Sequence, residues 1–401
     1  MSKITDNKTF CMMPWVHMHL WPAGYTYPCC MADPDLPIGN TQTQSLQDIW
    51  NGPEMRQIRM NMLQDKKSPE CRRCYELEEN GMWTLRKSSN ENFKHHRERV
   101  YETSDDGSAG DVNMAYMDIR FSNLCNLKCR SCGPQFSSSW FEDHKQIYGD
   151  LPHKKILQVR DEMLSFMDEL DPLLASVERV YWAGGEPLIT KEHYDILDKW
   201  IAMGKRDVKM DYTTNFTQMY YKRKTAFEYW NSFEHVRVAA SLDANHARGE
   251  YLRKNMVWSQ VVQNRRDMIE QCPHVYFEIT PTVSIYNVFN LPDFHKEWIE
   301  EGLLEPQNIR INILLDPTYM RLSLLPPWLK DQVRFKYLEH LKYLDQFENI
   351  DSVKNDYESI LKFLNNDHSE ELKMFLFKTE RIDNLRKENW REVFPELQDL
   401  A

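Results

Sequence analysis

MAYMDIRFSNLCNLKCRSCGPQ, residues 114–135, changes character half-way along. Its first half alternates apolar and polar residues, as a half-buried strand does. Its second half spaces Cys125, Cys129 and Cys132 as C-x3-C-x2-C, which is a third of the nine cysteines in the 401-residue chain. Asn123, Asn126, Gly133 and Pro134 suit a loop better than a helix. The spacing would also fit one helical face of small apolar cysteines. Zinc sites usually pair one C-x2-C with a second such pair, and no fourth ligand follows nearby. Iron–sulfur clusters are held by thiolates on short loops. Three thiolates on a four-iron cluster leave one iron open to another ligand.

The same alternation recurs at 179–184, 207–214, 235–242, 274–284 and 308–315. Helix-like stretches at 157–176, 191–204, 257–271 and 291–302 lie between them. Six strands alternating with helices point to parallel βαβ units, closing into a doubly wound sheet or a full or partial barrel. In either case the loops at strand C-terminal ends carry function, and the cysteine loop is one of them. Pro281 falls inside an expected strand, where it removes a ladder hydrogen bond, so an edge, a bulge or a late start is expected there. Tyr181, Trp182, Asp211, Tyr212, Glu278, Thr280, Arg310 and Asn312 lie on these strands as candidate pocket residues.

Four segments follow: residues 1–88, rich in Cys, Met and Trp; a polar linker at 89–113; the alternating core at 114–320; and a charged helical extension at 321–401. TSDDGSAGD (103–111) is the clearest linker sequence. Within the first segment, Ser45 and Asp48 are placed to cap a helix reciprocally.

The charge balance is acidic, with 50 Lys and Arg against 61 Asp and Glu for a net −11, so no nucleic-acid partner is expected. No run of eighteen uncharged apolar residues is present, and no membrane association is expected. Pro14, His17 and His19 break the apolar start, which argues against a signal peptide. A cytoplasmic location is expected, where clustered thiols bind metal or do redox work.

FSNLCNLKCRSC (121–132) resembles the cluster loop of the radical S-adenosylmethionine (SAM) superfamily. WAGGEP (182–187), YTTN (212–215), SLD (241–243) and EYLRKNMVW (250–258) follow in the family's order. The resemblance spans about 114–320 and implies a partial (β/α)6 barrel of the radical SAM type. It implies that Cys125, Cys129 and Cys132 hold a 4Fe–4S cluster whose open iron chelates SAM. It further implies that Gly184, Gly185 and Glu186 engage the SAM amino group, that Asn215 and Ser241 reach the ribose, with Asp243 beside them, and that Arg253 meets the carboxylate. The residue types fit those roles: glycines permit close backbone approach, and Arg presents a planar donor fork. Read singly, Ser241 and Asp243 are also good helix caps. Ser131 stands where the family commonly has an aromatic residue for the adenine; Phe136 or the backbone would replace it.

Five further cysteines stand at 11, 29, 30, 71 and 74. GYTYPCC, GNTQTQSLQDIWNGPEMRQIR and CRRCYELEENG resemble the auxiliary-cluster modules called SPASM or twitch domains, which in most relatives follow the barrel and here precede it. The resemblance implies that Cys11, Cys29, Cys71 and Cys74 hold a second 4Fe–4S cluster, with Cys30 spare. A four-cysteine zinc site is the alternative for these residue types. Cys272 reads as structural.

The function implied is reductive cleavage of SAM to a 5′-deoxyadenosyl radical that abstracts hydrogen from a substrate. A peptide or protein side chain comes first, and a small metabolite is the alternative. The partners implied are that substrate and a low-potential electron donor such as flavodoxin or ferredoxin. No catalytic side chain is singled out. The readings from other classes are a non-catalytic iron–sulfur electron carrier, which would not bind SAM, and a zinc-stabilised binding module, which would hold no iron.

Overall fold

The computed structural model describes residues 7–400, in two compact units. The first comprises the chain up to Leu124, Ile156–Asp211 and Ser232–His235; the second comprises Cys125–Lys155, Tyr212–Asn231 and the chain from Val236.

In the first unit, strands β1 (His17–Leu20), β2 (Tyr25–Tyr27), β3 (Gly39–Asn40), β4 (Tyr116–Ile119), β5 (Arg179–Trp182) and β6 (Lys209–Thr214) run in the order β6-β5-β4-β1-β2-β3. β1 pairs in parallel with β4, His17 opposite Tyr116 and Leu20 opposite Ile119. β4 pairs in parallel with β5, and β2 and β3 add antiparallel. The cysteine-rich N-terminal segment therefore contributes strands to the sheet that holds the first core strand.

Alternation in the sequence becomes two chemically different sheet faces. Met117, Ile119, Val180, Trp182 and Met210 are buried on the face that packs against helices. Trp182 meets His193 and Trp200 of helix Lys191–Ala202 at ring separations of 4.7 and 6.1 Å. Phe121 meets Phe166 of helix Met163–Leu170 edge-on at 6.3 Å. Burying each such phenylalanine contributes about 1.5–3 kcal/mol. The opposite face carries Asp118, Arg120, Arg179, Tyr181 and Asp211. There Arg179 pairs with Asp211 at 2.7 Å, and Arg120 lies 4.7 Å from the Tyr181 ring centre.

The Ser45–Asp48 capping box forms as expected and starts helix Leu46–Trp50. The stretch expected as a linker is ordered. Leu85–Asn92 and Glu98–Tyr101 are helices. Thr103 accepts from Trp15 Nε1 at 2.8 Å, and Ala109 O accepts from Trp50 Nε1 at 3.1 Å. Two buried indoles with polar edges need such acceptors, supplied here by one side-chain hydroxyl and one backbone carbonyl.

In the second unit, β7 (Val236–Ala240) pairs in parallel with β8 (Tyr276–Ile279), and β9 (Thr282–Val283) with β10 (Asn312–Ile313). Pro281 breaks the expected 274–284 strand between β8 and β9. It donates no hydrogen bond, while its carbonyl accepts from Asn312 N at 2.9 Å. The last expected strand, 308–315, shrinks to β10 and a bridge from Ile309 to Ile279. Helices Pro327–Leu344, Asp351–Phe363 and Leu372–Arg386 form the extension, as the charged 3.6-residue pattern requires. The architecture is the α/β, partial-barrel class expected from the sequence. Among the described residues, no helix is long and apolar enough to cross a membrane.

Candidate iron–sulfur and SAM site

In the second unit, the cysteine loop is fastened from two sides. Lys128 and Cys129 pair antiparallel with Lys254 and Arg253. Arg130 N–H donates to Leu252 O at 2.8 Å, extending that ladder by one rung. From the end of β6, Asn215 Nδ2 donates to Asn126 Oδ1 at 2.8 Å and lies 3.9 Å from Cys125 Sγ. Asn126 in turn donates to Thr217 Oγ1 at 2.9 Å. Ser137 Oγ donates to Leu127 O at 2.6 Å, and Trp140 Nε1 donates to Cys129 O at 2.7 Å.

The Arg253 guanidinium is held on the buried Asp243, with Nε 2.9 Å from Oδ2, and Nη1 lies 3.6 Å from Cys129 Sγ. The Cys129 thiol is drawn down to about 7, first by its hydrogen bond with the Cys132 thiol and then, against burial, by Arg253. Cys132 is pushed the other way as donor of that bond. Three thiols on one short loop, one pair close enough to share a proton and a cation beside them, form a donor set that suits a thiolate-ligated cluster.

In the first unit, the glycine turn sits on the residues just before that loop. Glu186 N–H donates to Leu124 O at 2.7 Å. Gly185 has φ +50°, and a Cβ there would stand 2.2 Å from Leu124 O. Gly184 has φ +86°, and its Cβ would meet Arg120 Cβ at 2.8 Å. Both positions require glycine. Glu186 is fully buried, and its carboxylate accepts from Leu188 N–H at 3.0 Å, capping the turn Pro187–Ile189. Ser241 N–H donates to Thr214 O at 2.8 Å in the second unit, which sets the β6 and β7 ends side by side there.

Also in the first unit, the remaining thiols gather. Burial pushes Cys11 up to about 11, with Cys74 adding to the rise. Burial likewise raises Cys29, helped by Cys30, Cys71 and Cys11. Cys71 is raised by burial, then by Cys11, Glu70 and Cys74. Four thiols within one unit are a donor set of the kind that a metal cluster uses, and a bound cationic centre would favour their ionised form. Cys30 differs: it is exposed, and its electrostatic neighbours are led by Asp118 and Arg120 and not by the other thiols.

The candidate pocket residues divide by strand phase. Tyr181, Asp211, Glu278 and Arg310 are on polar arrays, with Glu278 2.7 Å from Arg237 and 3.5 Å from Arg310. Trp182 and Tyr212 are on the opposite, helix-packed face, Tyr212 edge-on to Trp230 at 5.5 Å, and are core. Cys272 is buried and donates to Phe227 O, a structural role. The sequence reading missed Asn126 and Thr217 as loop anchors; Asn next to a ligand cysteine was the available signal.

His95 and His96 each place Nε2 2.7 Å from an oxygen of Glu178. Arg99, Arg179, Lys205 and Lys209 line the cleft beside them, so the group forms an ion-pair cluster in a field unfavourable to a dication.

The family model of the SPASM iron–sulfur cluster-binding domain matches residues 11–75. GTP 3′,8-cyclases of Listeria welshimeri and Listeria monocytogenes are 30% identical over 132 residues, 33% of this chain and 34% of theirs. That of Campylobacter curvus is 26% identical over 149 residues, 37% of this chain and 40% of its own. Residues 11–75 thus resemble a SPASM iron–sulfur cluster-binding domain, and about a third of the chain resembles GTP 3′,8-cyclases. The chain spans about a third of the length of the curated relatives it matches. Among solved structures, native anSMEcpe with bound AdoMet is 20% identical over 59% of this chain and 60% of that one, with a TM-score of 0.37. TYW1 with a lysine–pyruvate adduct bound is 14% identical over 59% and 72%, with a TM-score of 0.29.

Proposed function

We propose that this protein is a radical SAM enzyme that modifies a peptide or protein side chain. The observation that carries the reading is the cysteine loop zipped to the arginine segment, with Cys129 opposite Arg253 and Arg253 held on Asp243. When bound, a four-iron cluster with SAM on its open iron supplies one-electron cleavage of the SAM C–S bond, to methionine and a hydrogen-abstracting 5′-deoxyadenosyl radical. Cys125, Cys129 and Cys132 would hold that cluster. The backbone at Gly184 and Gly185, with Glu186 fixing the turn, would receive the amino end of SAM. Arg253, oriented by Asp243, would face the carboxylate end, and Asn215 and Ser241 the ribose. Cys11, Cys29, Cys71 and Cys74 would hold the second cluster.

In this reading 1–88 is the auxiliary-cluster domain, 89–113 the connection, 114–320 the radical SAM core and 321–401 the extension. The electron donor is a low-potential carrier of the flavodoxin or ferredoxin kind, and the setting is cytoplasmic. The SPASM match supports the second cluster, and the resemblance to auxiliary-cluster modules is what suggests a peptide or protein substrate. A small metabolite is the second reading, supported by the segment aligned with GTP 3′,8-cyclase.

The test uses anaerobically reconstituted protein. Iron is counted, SAM and dithionite are added, and 5′-deoxyadenosine is measured, with Cys129→Ala as control. About eight irons, as two four-iron clusters require, with product lost in the variant, is the expected result. Iron without SAM cleavage under any reductant would favour the electron carrier, and zinc at both sites would end the reading. Stimulation of deoxyadenosine release by a peptide pool, against stimulation by GTP, separates the two substrate classes.

A further inference from the structure

Arg130, between two of the loop cysteines, is 3% exposed. A buried guanidinium needs partners, and both of its anions come from the end of the chain. Its Nη2 donates to Asp383 Oδ1, and to Glu388 Oε2 at 2.6 Å. Its guanidinium carbon stacks 3.6 Å from the Tyr251 ring centre. Asp383 is fully engaged: it also accepts from Tyr251 OH at 2.9 Å and from Trp390 N–H at 2.8 Å. Glu388 reaches it because Lys387, at φ +55°, reverses the chain after helix Leu372–Arg386. Its second oxygen lies 2.8 Å from Lys254 Nζ, the rung beside Arg253.

The other flank of Cys129 is tied to the same helix. Lys128 Nζ donates to Asp143 Oδ1 at 2.7 Å, and Arg386 Nε donates to Asp143 Oδ2 at 2.9 Å. Arg386 also lies 4.4 Å from the Trp140 ring centre, and Trp140 holds the Cys129 carbonyl. Both residues beside the central ligand are thus tied, directly or through Asp143, to one terminal helix and the turn after it. Structural packing alone would be met by apolar contacts. Here four anions (Asp143, Asp243, Asp383 and Glu388) are set among five cations (Lys128, Arg130, Arg253, Lys254 and Arg386).

We propose that Asp383 and Glu388 are positioning residues for the SAM-binding cluster: they fix Cys129 through Arg130 and offset the charge of Arg130, keeping the cluster's reduction potential low. The inference rests on the function proposed above. Fixed charges near a redox centre shift its potential, and removing a nearby anion favours the reduced, more negative state.

The experiment uses the full-length reconstituted protein carrying Asp383→Asn or Glu388→Gln. Asp383→Glu serves as conservative rescue, and Glu396→Gln as a charge control in the same terminal segment, where Glu396 pairs with Arg248 at 2.6 Å. Midpoint potential, the EPR signal of the reduced cluster and iron per chain are read alongside thermal stability. Glu388→Gln is expected to move the midpoint positive by a roughly tenfold change in the one-electron equilibrium, about 59 mV. Asp383→Asn is expected either to do the same or to lose about four irons while the auxiliary cluster stays, as a four-iron site at this loop requires. Glu396→Gln is expected to match wild type. Unchanged potential, EPR and iron in both Asp383→Asn and Glu388→Gln overturn the proposal, as does an equal shift in Glu396→Gln. If Asp383→Asn fails to fold, Glu388→Gln decides alone. Wild-type protein that holds no SAM-cleaving cluster would instead refute the underlying function, before any variant is compared.

Discussion

Replacing Gly185 by alanine tests the close approach on which the proposed SAM contact depends. Two costs arise. The residue has φ +50°, a left-handed conformation that costs a non-glycine residue about 1–2 kcal/mol. The new Cβ would also lie 2.2 Å from Leu124 O and 2.8 Å from Leu124 C, where ordinary contact begins at 3.4 Å. The obstacle is backbone, so no side chain can swing aside, and a displacement of about 1 Å must be taken up by the turn or by the peptide preceding Cys125. Gly204→Ala isolates the first cost, because Gly204 has φ +71° and nothing within 4 Å of its Cβ position. Gly204→Ala should lower stability by about 1 kcal/mol and leave SAM binding intact. Gly185→Ala should weaken SAM at least about tenfold, which is about 1.4 kcal/mol, in equilibrium binding to reconstituted protein. Iron at Cys11, Cys29, Cys71 and Cys74 should be retained in both. If Gly185→Ala binds SAM as tightly as Gly204→Ala does, the turn does not hold the ligand in the way argued.

Three further outcomes follow from the same geometry. Cys29→Ala should lose about four irons and Cys30→Ala none, counted against wild type, because Cys30 is exposed and its electrostatic neighbours are led by Asp118 and Arg120; equal losses would make Cys30 a ligand. In metal-free protein, thiolate absorbance should rise near pH 7 as Cys129 ionises, and Arg253→Gln should move that step to higher pH; an unmoved step would separate Arg253 from the thiol. His17 and His295, held near 4, and His193 and His340, held near 3, are all lowered from 6.5 chiefly by burial. The unfolded chain therefore takes up their protons first, so their contribution is full above about pH 6.5 and fades as pH falls towards 4. The melting temperature should drop between pH 7 and 5, and His340→Gln should flatten the drop; a parallel curve would deny His340 a part.

What the sequence disclosed was local chemistry. A strand running into a cysteine loop, the Ser45–Asp48 cap and the glycine turn each announce themselves within a few residues, since each satisfies its own backbone. Strand phase was hidden because Tyr181-Trp182 and Asp211-Tyr212 place an aromatic or polar residue on either face; only packing against Trp200 and Trp230 decides which aromatic is core. The carboxylates on Arg130 were hidden for another reason: they lie 253 and 258 residues away, and nothing near Arg130 encodes them. The order within 89–113 was not legible because its partners, Trp15 on the Thr103 hydroxyl and Trp50 on the Ala109 carbonyl, lie far away in sequence.

The placement of the SPASM-like segment ahead of strand β4 has a topological explanation in the first unit. Parallel neighbours cannot be joined by a tight turn and need a crossover connection. β1 and β4 are such neighbours, with Arg120 N–H donating onward to Leu20 O at 2.8 Å, and the chain between them carries Cys29, Cys71 and Cys74. The cysteine domain is thus the crossover itself, closed onto the sheet at both ends, with Cys11 entering just before β1. Loosening it must loosen the pairing of the first core strand. Removing the proposed auxiliary iron, by Cys71→Ala and Cys74→Ala together, should therefore speed amide hydrogen exchange at Tyr116–Ile119 as well as at His17–Leu20. The strands Val236–Ala240 and Tyr276–Ile279 should keep their wild-type protection. Faster exchange confined to residues 21–88 would show that the domain opens independently of the strand it adjoins.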